Sequence, residues 1–351
     1  MSVRVLAVGA SAGGQEALER LVAALPAELG ACVLVTVHIT PTARSRLPEI
    51  LTRAGSLPAA HARDGQPLRP DTIVVAPPDR HLVVDGGRAW LSPGPKVNRH
   101  RPSVDVMFAS TARWAGPDMA AVVLSGSLDD GAVGAAVVAR AGGAVYVQDP
   151  AEAQFVGMPR AALAAVPDAT VVPTTRMAAL LTTAVRSTPA PPRRAADAGR
   201  EGDGPVNMAD SSNPLYLSSD EARLTRLVCP DCHGSLAQVD LPTITYYRCH
   251  VGHQWSPQTL AAAQAEVSEE KLWSAVAALD EQAALRRHLA THGGGPAEES
   301  PAVEEDSADH LRAADRAGYL AHTLRRLLDP PVTHHGGQGA DTDPDVIDPV
   351  S

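Results

Sequence analysis

Aromatic residues make up only 3% of this 351-residue chain, and just two are phenylalanine. Alanine, valine and leucine must therefore fill its core. Long apolar runs are also missing: none approaches the roughly 18–20 residues that span a bilayer, so no membrane insertion is expected. The opening Met1-Ser2-Val3-Arg4 runs into a strand-like stretch without the apolar centre of a signal peptide, and a cytoplasmic location is the expectation. Basic excess is absent. The 30 Lys and Arg are outnumbered by 40 Asp and Glu, for a formal net charge of -10, whereas a general nucleic-acid binder needs a basic face to neutralise phosphates. Cysteine is scarce as well. Cys32 stands alone in an apolar run, while Cys229, Cys232 and Cys249 cluster late, beside histidines. An odd cluster of that kind reads as metal binding rather than disulfide pairing.

What is present is a 44% hydrophobic chain, long enough for two domains or for one large domain with appendages. Up to about residue 186, short apolar strands alternate with helical stretches. Strands are predicted over 3–8, 32–38, 72–76, 82–85, 88–91, 119–125, 144–148 and 170–172, with Gly86-Gly87 joining two of them as a hairpin. Helices are predicted over 15–25, around 45–53, over 104–115 and 132–141, near Arg160, and up to Arg186. Such alternation predicts an α/β fold with a doubly wound, mostly parallel sheet covered on both faces. Sites in such sheets lie beyond the carboxyl ends of the strands. Residues 187–223, rich in Pro, Ala, Arg, Gly, Asp and Ser, read as a linker. A small Cys/His unit over 224–256, helices within 257–328 (257–292 and 307–328) and a disordered tail over 329–351 complete the expected organisation.

The sharpest local signal is Gly9-Ala10-Ser11-Ala12-Gly13-Gly14, between a strand and a helix. The G-x-S-x-G spacing lets the backbone turn sharply and present a serine hydroxyl at the sheet edge. The same glycines suit a phosphate cradle in which the serine only caps the helix. Two features favour nucleophilic chemistry. Ser11 occupies the place where a dinucleotide fingerprint needs its second glycine, and His38 ends the second strand where that fingerprint favours an acidic residue. A histidine titrates near neutral pH, at about 6.5, and can serve as the base that a serine requires. A carboxylate to orient the imidazole is available after the strand over 119–124, as Asp129 or Asp130, both of which also suit helix capping.

These residues resemble the catalytic domain of the CheB-type protein-glutamate methylesterases. The resemblance covers nearly all of residues 3–186. It rests on the serine turn, on His38, on the run Pro95-Lys96-Val97-Asn98-Arg99-His100-Arg101-Pro102-Ser103-Val104-Asp105, on Asp130-Gly131, and on Gly157-Met158-Pro159-Arg160. It implies a doubly wound α/β fold and a serine hydrolase that demethylates γ-glutamyl methyl esters on chemoreceptor helices, with glutamine deamidation as a companion activity. By motif position it makes Ser11 the nucleophile, His38 the general base and Asp130 the orienting carboxylate, with no cofactor for catalysis. Backbone amides near Ser11 would supply the oxyanion donors. Arg99, His100 and Arg101 either position an acidic receptor segment by charge-assisted hydrogen bonds or hold the loop ahead of the next helix. The family often has a Gly-Met-Gly-x-Asp-Gly-like sequence where this chain has Gly126-Ser127-Leu128-Asp129-Asp130-Gly131, and the change at Ser127-Leu128 alters the cleft wall. The chain starts at the catalytic strand, so phosphorylation-gated control by a receiver domain in cis is not expected.

In the C-terminal part, Cys229-Pro230-Asp231-Cys232 is followed after sixteen residues by Cys249-His250-Val251-Gly252-His253. The first pair forms a knuckle with two thiolates facing one ion, and Cys249 with His253 or His250 completes a tetrahedral set. Three thiolates and an imidazole suit a closed, structural zinc site in a zinc-ribbon-like unit whose own core is thin. A similar tail is familiar from stand-alone relatives of the methylesterase, and it reads as an interaction or regulatory module. A non-catalytic signalling or scaffold protein is the alternative from another class, and a nucleotide-binding domain is a third.

Overall fold

A computed structural model describes residues 3–40, 42, 45–187, 222–292 and 301–328. The first half of the chain begins β1 (Arg4–Ala10), α1 (Gly14–Ala23), β2 (Ala31–Val37), α2 (Leu47–Ala54), β3 (Ala59–His61), β4 (Gln66–Pro67), β5 (Thr72–Val75), β6 (His81–Asp85) and β7 (Arg88–Ser92). It continues α3 (Val104–Ala115), β8 (Met119–Val123), α4 (Ala132–Arg140), β9 (Ala144–Gln148), α5 (Gly157–Ala165), β10 (Thr170–Val172) and α6 (Thr174–Ser187). Seven strands form one sheet in the order β10-β9-β8-β1-β2-β5-β3, and every pairing in it is parallel. The doubly wound α/β class expected from the alternation is the observed one.

The strands are apolar on both faces because both faces are covered. Along β1, Val5 and Ala7 enter one core cluster, together with Phe108 and Met107 of α3. Leu6, Val8 and Ala10 point the other way, into a cluster with Leu18 and Leu21 of α1 and Leu181 of α6. Few aromatics are needed when two thin layers of Val, Leu and Ala flank one sheet. The strands β4, β7 and β6 make a small antiparallel sheet. Its β6–β7 hairpin turns through Gly86 and Gly87, at φ 56° and 72°, the left-handed backbone that a two-residue hairpin turn requires.

The remaining strands are β11 (Ala222–Val228), β12 (Ser235–Asp240), β13 (Thr245–Cys249) and β14 (Gln254–Trp255), followed by α7 (Pro257–His292) and α8 (Pro301–Leu328). β11 to β14 form an antiparallel sheet in sequence order. Val239 and Tyr246 from this sheet, and Leu241 from the β12–β13 turn, belong to the same core cluster as α3 and β8. Compact packing accordingly divides the chain between Gln264 and Ala265, not at the end of the parallel sheet. Within the second unit, α7 and α8 are joined by an Arg325–Asp280 ion pair and by a 3.0 Å contact between Arg286 and His310.

Three elements differ from expectation. β3 and β4 have three and two residues and no apolar alternation, so they left no pattern to read. α8 starts at Pro301 rather than Ser307, because proline in the first helical turn has no N–H to lose. Residues 188–221 of the expected linker and the tail over 329–351 lie outside the described residues. Among the described residues, no helix is long and apolar enough to cross a membrane.

Candidate active site and metal centre

β1 is flanked by β2 on one side and β8 on the other, and the strand order reverses between β1 and β8. That is the crevice position of an open α/β sheet, and three of the residues singled out from sequence meet there. Ser11 directly follows β1, with its N–H donating to the Ser125 carbonyl at 3.0 Å. His38 directly follows β2 and donates its N–H to the Ala10 carbonyl at 3.3 Å. Asp130 lies in the loop from β8 to α4. His38 Nδ1 is 3.0 Å from Ser11 Oγ, and His38 Nε2 is 2.7 Å from Asp130 Oδ2. The His38 and Asp130 side chains are 6% and 2% exposed. In the neutral tautomer that carries its proton on Nε2, toward Asp130, the imidazole would present a bare Nδ1 to the serine hydroxyl.

Helix capping was the competing role for Asp130, and the carboxylate does cap a helix, though not the one that follows it. α4 takes Gly131 as its N-cap, with no side-chain cap. Asp130 instead accepts from the Val104 amide at 2.7 Å, the Asp105 amide at 3.1 Å and the Ser103 hydroxyl at 2.8 Å. It thus sits at the positive end of α3. Burial opposes its ionisation, yet the His38 hydrogen bond and charge prevail and hold its carboxyl well below the usual carboxylate range. Asp105 has the opposite fate: burial and the charge of Asp130 push its carboxyl up. It accepts from the Gly131 amide at 2.9 Å, the Gly134 amide at 2.7 Å and Asn98 Nδ2 at 3.0 Å. In the sequence Asp105 and Asn98 stand out only as members of the run over 95–105, with no role of their own. An acidic residue opening the otherwise apolar helix Val104-Asp105-Val106-Met107-Phe108 was the available signal.

The run over 95–105 forms one wall of the site. His100 stacks on His38, with ring centroids 3.6 Å apart and planes 8° from parallel. Burial, followed by the neighbouring His38, lowers His100 to about 4. Arg101 donates to Asp79 and to the carbonyls of Pro93 and Gly94, so its guanidinium braces the loop. Arg99 is exposed and lines a cleft of about 320 Å³ with His38, Thr40, Lys96 and His100. Behind the wall, buried His81 bonds to the Pro95 carbonyl at 2.9 Å and accepts from the Ser103 amide at 3.2 Å.

Burial lowers His81 to about 4 as well, which weakens the fold in acid, while the raised carboxyl of Asp105 acts in the opposite sense. Between about 6.5 and about 4 the unfolded chain binds a proton that folded His81 refuses. Stability is then fully present above 6.5 and falls as pH drops toward 4, by roughly 3 kcal/mol for His81. His100 contributes in the same window. Urea unfolding at pH 7 and pH 4.5 should show a larger acid loss of midpoint in wild type than in His81→Gln, and equal losses in the two would contradict a neutral His81.

The CheB methylesterase family profile matches residues 6–181, a span that includes Ser11, His38 and Asp130. The chain belongs to the CheB methylesterase family. A protein-glutamate methylesterase/protein-glutamine glutaminase 3 of Anaeromyxobacter dehalogenans is 45% identical over 173 residues, 48% of this chain and 51% of that protein. A protein-glutamate methylesterase/protein-glutamine glutaminase 4 of Myxococcus xanthus is 42% identical over 183 residues, 52% of each. The chain thus spans about half the length of the curated relatives it matches. The crystal structure of the Thermotoga maritima CheB methylesterase catalytic domain is 28% identical with a TM-score of 0.51, covering 53% of this chain and 100% of that one.

In this CheB-family chain the cleft floor beside Ser11 is crowded. A Cβ added at Gly126 would lie 2.1 Å from Met158 Sδ and 2.9 Å from Ser11 Cβ, so only glycine leaves room for the serine. Leu128, next to Ser127 in the segment singled out above, adopts φ 61° and is exposed.

The metal candidates lie beyond the family match. Cys229, Cys232, Cys249 and His253 bring one ligand atom each within 4.8 Å of the others. Cys249 Sγ is 3.5 Å from Cys232 Sγ and 3.5 Å from His253 Nδ1. Those separations approach the edges of a tetrahedron with zinc–sulfur bonds of about 2.3 Å and a zinc–nitrogen bond of about 2.1 Å, so the set fits a zinc ion. His253 Nε2 faces Asp231 at 3.7 Å, the kind of carboxylate partner that orients a ligating imidazole. His253, and not His250, joins the three thiols. The His250 ring lies instead against Gly234.

Proposed function

We propose that this protein hydrolyses γ-glutamyl methyl esters on chemoreceptor-like signalling proteins, and deamidates glutamine, with Ser11 as nucleophile, His38 as general base and Asp130 as orienting carboxylate. The observation that carries this reading is the unbroken contact from Ser11 Oγ through His38 to Asp130. The names of the curated relatives supply the substrate class. In the first half-reaction His38 Nδ1 takes the Ser11 proton as Oγ attacks the ester carbonyl. The carbon–methoxy bond then breaks, and methanol leaves with that proton. In the second, His38 deprotonates water, which attacks the acyl-serine and releases a γ-carboxylate and free Ser11. Ser11's own amide is engaged with Ser125, which directs the oxyanion role to the amides that follow it at the positive end of α1. Arg99, in the cleft, is suited to an acidic receptor helix. Methanol release from a methylated chemoreceptor fragment, compared between wild type and Ser11→Ala, tests the reading; equal rates would defeat it.

For the C-terminal sheet we propose a structural zinc ion on Cys229, Cys232, Cys249 and His253, supported by the convergence of three thiols and an imidazole. Purified protein is expected to carry about one zinc per chain. Elemental analysis should find the metal lost in Cys229→Ser, and folded, zinc-free wild type would sink the assignment.

A further inference from the structure

We infer that the C-terminal four-stranded sheet, with the start of α7, is an intramolecular clamp on the esterase site: it holds the turn that stacks His100 on His38. This inference rests on the esterase reading for its catalytic consequence, while the clamp itself rests on the hydrogen bonds of Asn98.

The turn runs from Val97 to His100 and is closed on itself. The Val97 amide donates to the His100 carbonyl at 3.2 Å, and the His100 amide donates to the Val97 carbonyl at 2.9 Å. Its two central residues, Asn98 and Arg99, both have left-handed backbones, φ 49° and 68°. Asparagine tolerates that region, but arginine does so only when its surroundings impose it. The contacts that hold the turn come from β14 and the start of α7, more than 150 residues later in the chain. The Asn98 amide donates to the Gln254 carbonyl at 2.8 Å. Asn98 Oδ1 accepts from the Ser256 amide at 2.8 Å and from the Thr259 hydroxyl at 3.1 Å. Asn98 Nδ2 donates to Asp105 at 3.0 Å, beside Asp130. One side chain, 2% exposed, thereby ties the C-terminal sheet to the acidic pair behind His38.

The gripping corner is itself fixed. Ser256 and Thr259 cap the start of α7 reciprocally: the Thr259 amide donates to Ser256 Oγ at 3.0 Å, and the Ser256 amide donates to Thr259 Oγ at 3.0 Å. Gln254 immediately follows His253, and Trp255 is buried against Cys229 and Cys249. A core this small depends on its metal for order. Metal occupancy at Cys229, Cys232, Cys249 and His253 therefore propagates through β14 to Asn98, the Val97–His100 turn and His38. Asn98 is a positioning residue in this scheme.

The test uses the full chain, zinc-loaded, stripped by a chelator and reloaded, together with zinc-loaded Asn98→Gly. Glycine keeps the left-handed backbone open and removes only the side-chain ties. Hydrogen exchange over residues 96–103 is expected to quicken on stripping and in Asn98→Gly, and to slow again when zinc returns. Methanol release should lose about tenfold to a hundredfold in kcat with KM nearly constant, the effect of a misplaced catalytic group. Unchanged exchange in both samples, or unchanged kcat alongside active wild type, would overturn the clamp. A zinc-loaded wild type without Ser11-dependent methanol release would instead defeat the esterase reading, and the exchange result alone would then decide the clamp.

Discussion

Ser11→Ala is expected to lower kcat/KM for methanol release by about ten-thousand-fold or more while leaving the fold intact. The size follows from the loss of a covalent pathway. With no Oγ to acylate, only oxyanion stabilisation and substrate binding remain, and in serine hydrolases these leave a small residue of catalysis. The intact fold follows from position. Ser11 is partly exposed, its hydroxyl meets His38 at 3.0 Å, and removing a single partly solvated hydroxyl changes stability by about 0.5 kcal/mol or less. Measurement of kcat/KM beside a urea unfolding curve separates the two claims. An alanine variant that is inactive because it is unfolded would count against this account.

Asp130→Asn is the second large effect, and here activity and stability should fall together. The carboxylate accepts from His38 Nε2, Ser103 Oγ and the amides of Val104 and Asp105. An amide has one acceptor oxygen where the carboxylate has two. Its NH2 group must then face a donor or force His38 into the other tautomer, with the proton on Nδ1 and nothing to accept from Ser11. Loss in kcat on the order of a thousandfold to ten-thousandfold is expected from the wrong tautomer, and about 1–3 kcal/mol in stability from buried donors left unpaired. Kinetics and denaturation on the same preparation test both. Wild-type stability in Asp130→Asn would mean that the cap on α3 is dispensable.

Much of this site was legible because it is made of strand ends. Ser11, His38 and Asp130 each follow an apolar strand, and a parallel sheet gathers such positions on one edge whatever the loops do. The companion run over 95–105 gave the substrate class through its resemblance to a family, not through its chemistry. The roles of Asn98 and Asp105 stayed hidden for a physical reason. Asn98 meets Ser256 and Thr259, whose chain positions no local pattern connects to it, and Asp105 acts through neighbours that only the packed helix brings close. β3 was too short to show alternation. The place of Tyr246, Val239 and Leu241 in the main core was equally hidden, since three apolar residues in a small, polar sheet and its turn do not announce what they will cover.

That shared core bears on where the molecule can be cut. The family match stops at residue 181, and a gene trimmed there would encode every residue of the proposed triad. It would also strip Val239, Leu241 and Tyr246 from the cluster they share with α3, and remove the Thr243 hydroxyl from the Ala165 carbonyl at 2.6 Å. The bared apolar surface beside α5 would then face water. The C-terminal sheet thus shares the interior of the esterase fold, and swapping or shortening it is a core mutation rather than a change of accessory.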